Sequence, residues 1–128
     1  MSPTARSLEW LRERGWSARV VERRNPFTHK LSDVFGADIV AIHRAQKITL
    51  WVQATSGANH GARVKKCLGN PEVADVLAVG HHFEVWSWAK KKAGWQLQRE
   101  ALTLMDFSKE NAFIEEENEV KYARLAGS

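Results

Sequence analysis

The pattern of apolar and polar positions is clearest in the middle of the chain. Two apolar runs of strand length, residues 39–42 and 48–52, flank a short polar segment and predict a β-hairpin. A basic stretch over 60–68 follows, with apolar positions three and four residues apart. That spacing predicts a helix, which the sequence Gly-Asn-Pro at 69–71 brings to an end.

Further elements are predicted on both sides of this centre. A helix over 3–14 has Ser2 as its cap and Pro3 at its first position, and Gly15 stops it. The remaining predictions are a strand over 17–23, a buried strand over 76–79, a hairpin of strands 83–89 and 95–101, and a final helix over 107–125 capped by Asp106. Because helices alternate with strands, an α/β fold is expected.

Two polar side chains are expected to meet at one end of the central hairpin. A turn centred on 45–46 places Asp38 opposite Gln53, and opposed residues share a face with Cβ atoms about 5 Å apart. Thr55, two residues further along, points the same way. One interpretation is an oxygen-rich cluster that binds Mg²⁺ beside water and phosphate. The other is structural: the carboxylate closes a turn and the amide satisfies the end of a sheet.

Length and composition are typical of one globular domain. The 128 residues can bury a single core, and the 44% hydrophobic and 27% charged fractions are ordinary. Six tryptophans are spread along the chain, so core and interface positions account for them better than one stacking platform does. The single cysteine, Cys67, excludes an intramolecular disulfide and a zinc site built from cysteines. With no apolar run near about 18 residues, a cytoplasmic protein without membrane contact is expected.

The charge is distributed unevenly along the chain. Residues 1–100 carry sixteen Lys or Arg against nine Asp or Glu, giving +7, whereas residues 101–128 carry three against six, giving −3. A basic body is compatible with a polyanionic partner, although many proteins with such an excess bind no nucleic acid. The negative charge of the acidic end does not fit a nucleic-acid surface, and this segment is expected to pack loosely or to form a homodimer contact.

The start of helix 60–68 is expected to attract an anion. Free backbone N–H groups point outward there and the helix dipole favours negative charge, just beyond Gln53 and Thr55. The candidate contacts to a phosphate backbone are Ser56, Asn59, His60, Arg63, Lys65, Lys66 and, from the loop over 23–30, Arg24. Helical geometry separates Lys65 from Lys66 by about 100°, so only one of the two can face the site.

Other polar residues have two interpretations each. Glu22 is first an ion-pair partner of an arginine and second an acidic metal ligand. Asp33 caps a short turn but lies close enough to Asp38 to be a reserve site residue. His81 and His82 invite a metal reading, yet adjacent strand residues point to opposite sides, so a loop role is preferred.

The order of these elements and residues resembles the PD-(D/E)XK nuclease superfamily, which includes Mrr-like restriction endonucleases and Holliday junction resolvases. Asp38 matches the aspartate at the start of the second strand, and Gln53 matches the glutamine variant of the (E/D/Q)-x-K motif, whereas Thr55 stands where that motif has lysine. The resemblance covers residues 4–80. It implies a restriction-endonuclease-like αβββαβ core with a mixed central sheet in a domain over 1–104, extended by a C-terminal hairpin and followed by an acidic helical tail over 105–128.

The resemblance also implies a chemistry. Asp38 and the Gln53 amide oxygen would hold Mg²⁺ or Mn²⁺ for hydrolysis of DNA phosphodiester bonds, with Glu9 or Glu22 as further ligands. Thr55 would orient the attacking water, and a lysine from helix 60–68, Lys65 or Lys66, would replace the missing motif lysine. From its helical position alone, Glu9 fits a solvated helix face better than a metal site.

Two alternatives to an active nuclease stay open. The first is a DNA-binding or regulatory protein on the same fold, because the motif lysine is replaced by Thr55 and only one strong carboxylate ligand is assured. The second is a structural subunit that uses its tryptophans at a protein interface, which leaves Asp38 opposite Gln53 unexplained.

Overall fold

A computed structural model describes residues 1–107 of the chain, which adopt an α/β fold. In chain order they are α1 (Pro3–Glu13), β1 (Ser17–Val20), β2 (Arg23–Arg24), β3 (Leu31–Ser32), β4 (Ile39–His43), β5 (Ile48–Ser56), α2 (His60–Leu68), α3 (Pro71–Ala78), β6 (His82–Lys91) and β7 (Gly94–Leu102), with 3₁₀ turns at Gly57–Asn59 and Leu104–Asp106.

The main sheet has five strands in the order β1-β4-β5-β6-β7. The pair β5–β6 is parallel and the other neighbours are antiparallel, so the sheet is mixed. The parallel pair requires a long connection between its strands, and α2 and α3 supply it. The short strands β2 and β3 form a separate two-stranded sheet.

Helix α1 begins and ends where the sequence predicts. The Ser2 hydroxyl accepts a hydrogen bond from the Ala5 amide at 3.1 Å, Pro3 occupies the first turn, and Gly15 follows the helix with φ +85°. Leu11 is fully buried against the sheet. Helix α1 therefore covers one face with a cluster that includes Trp86 of β6.

The opposite face of the sheet is covered by α2 and α3. Cys67 and Val73 pack there against Phe83 and Val85 of β6. Val85 and Trp86 belong to different clusters because successive side chains of a strand point to opposite faces. The sheet thus lies between α1 on one side and two helices on the other.

The central hairpin has the predicted register. Ile39 pairs with Val52 and Ala41 with Leu50. Continuing this register by one residue places Asp38 opposite Gln53, as predicted. The Asp38 amide extends the pairing by donating to the Val52 carbonyl at 2.9 Å. The strand predicted over 17–23 is shorter, because the chain leaves the main sheet after Val20 and forms β2.

The buried strand predicted over 76–79 is wrong, because these residues continue α3 and the turn that ends it. Pro71 occupies the first turn of α3, and the Asn70 side chain accepts from the Glu72 amide at 3.0 Å. Val73 and Val76 are buried at helical spacing. The parallel partner of β5 is instead β6, which belongs to the hairpin that was expected to follow the αβββαβ core.

The C-terminal hairpin is present, and its two tryptophans, Trp88 and Trp95, do not lie opposite one another. Trp88 lies opposite Leu97, and its indole Nε1–H donates to the buried Ser7 hydroxyl at 2.9 Å. Trp95 packs under the Arg6 guanidinium, whose Cζ lies 3.8 Å from the ring centroid. These contacts fasten α1 to the hairpin.

The end of the described chain differs from the predicted capped helix. Asp106 closes a 3₁₀ turn by accepting from the Thr103 amide at 2.8 Å, and Phe107 follows in extended conformation and is buried. The rest of the helix predicted over 107–125 lies outside the described residues. Within residues 1–107, no helix is long and apolar enough to cross a membrane.

Candidate metal and phosphate site

The Asp38 end of the central hairpin opens into a cavity of about 510 Å³. The cavity lies between the start of α1, the end of β5, and the first turns of α2. Its lining comprises Pro3, Thr4, Glu22, Leu31, Asp33, Asp38, Gln53, Ala54, Thr55, Ser56, Asn59, Arg63 and Lys66. Three carboxylates and two cationic side chains therefore share one opening.

Asp38 and Gln53 contact one another as the register predicts. The Gln53 amide Nε2 donates to Asp38 Oδ2 at 2.8 Å, and the Ala54 backbone N–H donates to the same oxygen at 2.9 Å. Both side chains are buried. Thr55 is buried as well and lines the same cavity, two residues along β5 from Gln53.

A tight turn fixes the start of the Asp38 strand. Val34 and Ala37 pair across a two-residue turn in which Phe35 has φ +52° and Gly36 has φ +76°. A side chain at Gly36 would place its Cβ 2.7 Å from Cγ2 of Val73, so the turn packs directly on α3. Glycine is therefore needed both for the backbone conformation and for the close approach.

Glu22 and Asp33 join Asp38 in an acidic cluster. One carboxylate oxygen from each of the three lies within 4.8 Å of the others. The pKa of Asp38 is raised to about 7, mainly by burial and in addition by the neighbouring Asp33 and Glu22 carboxyl groups, while the hydrogen bond from Ala54 lowers it. A cation placed between these groups would relieve the repulsion that they exert on one another.

One buried polar atom in the cavity wall lacks a partner. Gln53 is 2% exposed, and its Oε1 atom accepts no hydrogen bond from any residue in the described part of the chain. A buried acceptor without a partner costs stability unless a ligand satisfies it. The donor set of three carboxylates and one amide oxygen suits a hard cation such as Mg²⁺ or Mn²⁺.

Of the two neighbouring lysines on α2, Lys66 faces the cavity. Its Nζ lies 3.5 Å from Oδ2 of Asp33, and Arg63 one turn earlier lines the same opening. Lys65 is exposed and does not line the cavity, so Lys66 rather than Lys65 is the lysine of this pair at the candidate site. Cys67 is buried on the inner side of the helix, and burial raises the pKa of its thiol to about 12.

The residues before α2 are partly placed as expected. Ser56 and Asn59 line the cavity, and Asn59 Nδ2 donates to the Ser56 hydroxyl at 3.2 Å. His60 does not face it, so its expected contact with a phosphate is wrong. The buried imidazole lies between Ser87 and Glu100, with Nδ1 2.7 Å from the hydroxyl and Nε2 3.0 Å from the carboxylate. These bonds fasten the start of α2 to β6 and β7.

Glu9 and Arg24 lie outside the cavity lining. Glu9 is exposed on α1 and lines a different groove with Trp10 and Trp88, so its placement beside Asp38 is wrong and the solvated-face interpretation is confirmed. Arg24 lies on β2, where its Nη1 donates to the His29 carbonyl at 3.2 Å.

Glu22 and Asp33 are the two acids whose positions sequence reasoning ranked too low. The preferred ion pair of Glu22 with an arginine is absent among residues 1–107, and Glu22 instead belongs to the acidic cluster. Both residues reach Asp38 because β2 and β3 pair and bring the chain back to its starting point. Two-residue strands leave no detectable period in a sequence, so only the closeness of Asp33 to Asp38 along the chain hinted at this.

The paired histidines have no metal-binding geometry. His81 Nδ1 accepts a hydrogen bond from the Trp51 indole at 3.0 Å, and the two rings stack, whereas His82 is exposed at the start of β6. The loop role expected for His81 therefore agrees with its position.

Comparison of the chain with models of known families, with characterised proteins and with solved structures gives no match.

Proposed function

We propose that the protein is a metal-dependent phosphodiesterase that acts on DNA, built on a PD-(D/E)XK-like fold. The observation that carries the proposal is the unpartnered, buried Gln53 Oε1 beside three clustered carboxylates, in a cavity that Arg63 and Lys66 also line. For phosphodiester hydrolysis, the carboxylates would hold a metal ion on one side of the phosphate, and the cationic side chains would contact the phosphate from the other side.

The metal half of the site consists of Asp38, Gln53, Glu22 and Asp33. These residues would hold Mg²⁺ or Mn²⁺ through oxygen atoms, which both ions accept. When bound, the ion supplies Lewis acidity at a phosphoryl oxygen and lowers the pKa of water. The Ala54 amide and the Gln53 amide group hold Asp38 Oδ2 in one position. The carboxylate is thus oriented before any ligand arrives.

The phosphate half of the site consists of cationic and hydrogen-bonding groups on the opposite wall. Arg63 and Lys66 bring positive charge from α2, and Ser56 and Asn59 bring polar groups from the turn before it. The Thr55 hydroxyl, between the two halves in sequence, is available to orient water. Lys66 takes the role of the cation that the resemblance assigns to the position of Thr55.

The element order supports the finer fold assignment. Helix α1 is followed by three antiparallel strands of the main sheet, then by helices, and then by β6 parallel to the third of these strands. The resemblance implies this order, with β6 rather than residues 76–79 as the strand after the helix.

A DNA-binding protein without catalysis is the second candidate, and one contact favours it. Lys66 Nζ lies 3.5 Å from Oδ2 of Asp33, so the one lysine that lines the cavity among residues 1–107 is paired with a carboxylate of the acidic cluster. If that pair persists with DNA present, the cation cannot assist at the phosphate.

A cleavage assay distinguishes the two candidates. Supercoiled and branched DNA are incubated with the protein in Mg²⁺ or Mn²⁺, beside Asp38→Asn and Gln53→Ala, with the exposed Asp75→Asn of α3 as a matched control. We expect nicking that Asp38→Asn and Gln53→Ala reduce by about 100-fold or more and that Asp75→Asn leaves unchanged. Binding that falls with salt, without cleavage, would support the second candidate. Neither binding nor cleavage would contradict both.

A further inference from the structure

The segment 23–32, here called the ribbon, stands apart from the main sheet. Within the described residues 1–107, its strands β2 and β3 pair only with each other, with Arg23 opposite Ser32 and Arg24 opposite Leu31. Every residue of the ribbon is exposed. The ribbon therefore adds little to the core, and its sequence needs another explanation.

The tip of the ribbon is ordered by its own hydrogen bonds. The Asn25 side chain accepts from the backbone amides of Phe27 at 2.8 Å and Thr28 at 3.1 Å. The backbone closes the loop as well, since the Asn25 amide donates to the Lys30 carbonyl and the His29 amide donates to the Asn25 carbonyl. Phe27 is thus presented by a defined turn, and it is 90% exposed.

The charge of the ribbon has one sign. It contains Arg23, Arg24 and Lys30 and no acidic residue. A phenylalanine at the end of a cationic loop is a poor fit to an apolar protein partner, because the flanking charges would have to be desolvated on docking. It fits a polyanion that also offers a flat apolar surface, and an unpaired nucleobase on its phosphate backbone is such a partner.

The base of the ribbon is part of the candidate site. Glu22 precedes it and Asp33 follows it, and both carboxylates belong to the acidic cluster. Leu31 of β3 lines the cavity itself and is 56% exposed. The ribbon therefore rises from the rim of the cavity, next to the position that the scissile phosphate would occupy.

We infer that the ribbon is a substrate arm whose Phe27 stacks on an unpaired base, and that the preferred substrate is DNA with a single-stranded element beside the scissile phosphate. This inference rests on the proposed function for the position of that phosphate. Arg23, Arg24 and Lys30 contact the backbone that carries the base. Fully paired duplex offers no base to Phe27 and is bound through phosphates alone.

The test compares two labelled DNA probes of equal length, a continuous duplex and the same duplex with a single-stranded gap. Binding is measured in the Asp38→Asn protein so that the probes stay intact, with and without Phe27→Ala or Phe27→Trp added. Val79→Ala is the matched control, because Val79 is a 72% exposed apolar residue outside both the ribbon and the cavity lining. Anionic vesicles serve as a non-nucleic polyanion.

We expect tighter binding to the gapped probe than to the duplex. Phe27→Ala should weaken binding to the gapped probe by roughly 5- to 150-fold, the range seen when one stacked aromatic is removed, and should change duplex binding little. Phe27→Trp should keep the preference, and Val79→Ala should leave both affinities unchanged. Since Phe27 is exposed, normal unfolding curves for all variants would confirm that the effect is local.

The outcomes separate this inference from the proposed function. Equal binding of both probes by the Phe27→Ala and parent proteins, with cleavage by the wild type, would overturn the arm alone. A Phe27-dependent gap preference in a protein that cleaves no DNA would support the arm and contradict the hydrolase. Phe27-dependent binding to vesicles but not to DNA, or no DNA binding at all, would overturn the arm.

Discussion

Asp38 combines properties that a structural strand-end residue does not need. It is buried, accepts two hydrogen bonds at one oxygen, and has two further carboxyl groups within 4.8 Å. The pKa of its carboxyl group is raised to about 7, above the ordinary 3.8, mainly because burial disfavours the charged form. Between about pH 4 and pH 7, the folded protein therefore holds a proton at this position that the unfolded chain releases.

The raised pKa predicts how stability changes with pH. Between about pH 4 and pH 7 the native state binds more protons than the unfolded state, so the stability contributed by Asp38 is present below pH 4 and is lost as pH rises through about 7. The free energy of unfolding of metal-free wild type should fall relative to that of Asp38→Asn over this range, as measured by urea titration. A constant difference between the two proteins would contradict the cause assigned to the shift.

The two neighbouring lysines of α2 predict a second result at the residue scale. Lys66→Ala should reduce DNA cleavage by roughly 100-fold, because the cavity loses a fixed cation near the phosphate, whereas Lys65→Ala should stay within about twofold of wild type. Cleavage rates at saturating Mg²⁺ measure the difference. Equal losses in the two variants would indicate a general effect of charge rather than a placed group.

At this scale the sequence predicts contacts made within one hairpin and misses contacts made across a loop. The Asp38–Gln53 pair follows from the position of the turn, because the turn fixes which residues of an antiparallel hairpin lie opposite one another. Deciding between Lys65 and Lys66 requires knowing how α2 is rotated about its axis, which the sequence does not give. In the structure, the ion pair with Asp33 shows that Lys66 is the lysine on the cavity side.

Among the elements, the turn at 34–37 has the tightest steric demands near the site. It leads directly into β4 and rests on Val73 of α3. Gly36 is therefore constrained twice, by its φ of +76° and by the 2.7 Å approach that a Cβ would make.

Gly36 and Gly15 provide a matched comparison. Both have positive φ, but an added Cβ at Gly15 meets nothing within 4 Å. Gly15→Ala should cost about 1 kcal/mol of stability from backbone strain, and Gly36→Ala about 2–3 kcal/mol because Val73 must also move. Urea unfolding measures both. A Gly36→Ala cost no larger than that of Gly15→Ala would show that the turn can shift away from α3.

The elements also show where periodicity fails as a guide. Residues 76–79 form a short continuous apolar run, which is equally typical of a buried strand and of a buried helix segment. The Asn70 cap and Pro71 start a helix that these residues continue, and the signal was available in the sequence. The hairpin β6–β7 was located correctly, but its role as the parallel neighbour of β5 depends on pairing over a long sequence separation.

For the whole molecule, the cations that a polyanion would meet at the candidate site lie in the cavity lining and on the ribbon. Arg63 and Lys66 line the cavity, and the ribbon adds three further cations. The acidic residues of 101–128 reduce the net charge of the chain to +4. Apart from Asp106, they all lie outside the described residues. The cavity also holds the carboxylates of Glu22, Asp33 and Asp38, so without a bound metal the excess of positive charge near the site comes from the ribbon.

These five cations predict a steep salt dependence. If each neutralises one phosphate, the logarithm of the DNA association constant should fall with the logarithm of salt concentration with a slope of about −4 to −5. Arg23→Ala combined with Arg24→Ala should make the slope shallower by about 2, while Arg44→Ala, an exposed control in the turn after β4, should not change it. Titrations of a labelled probe at several salt concentrations measure the slopes.

The buried thiol of Cys67 gives the helix beside the site a built-in reporter. Reagents that modify thiols react with the thiolate. Cys67 is buried and its pKa is raised to about 12, so little thiolate is present in the closed structure. Modification should therefore proceed only when α2 moves away from the sheet. The rate of modification then counts these openings. Any ligand that bridges Lys66 to the acidic wall should make them rarer, which allows occupancy to be followed without a reaction product.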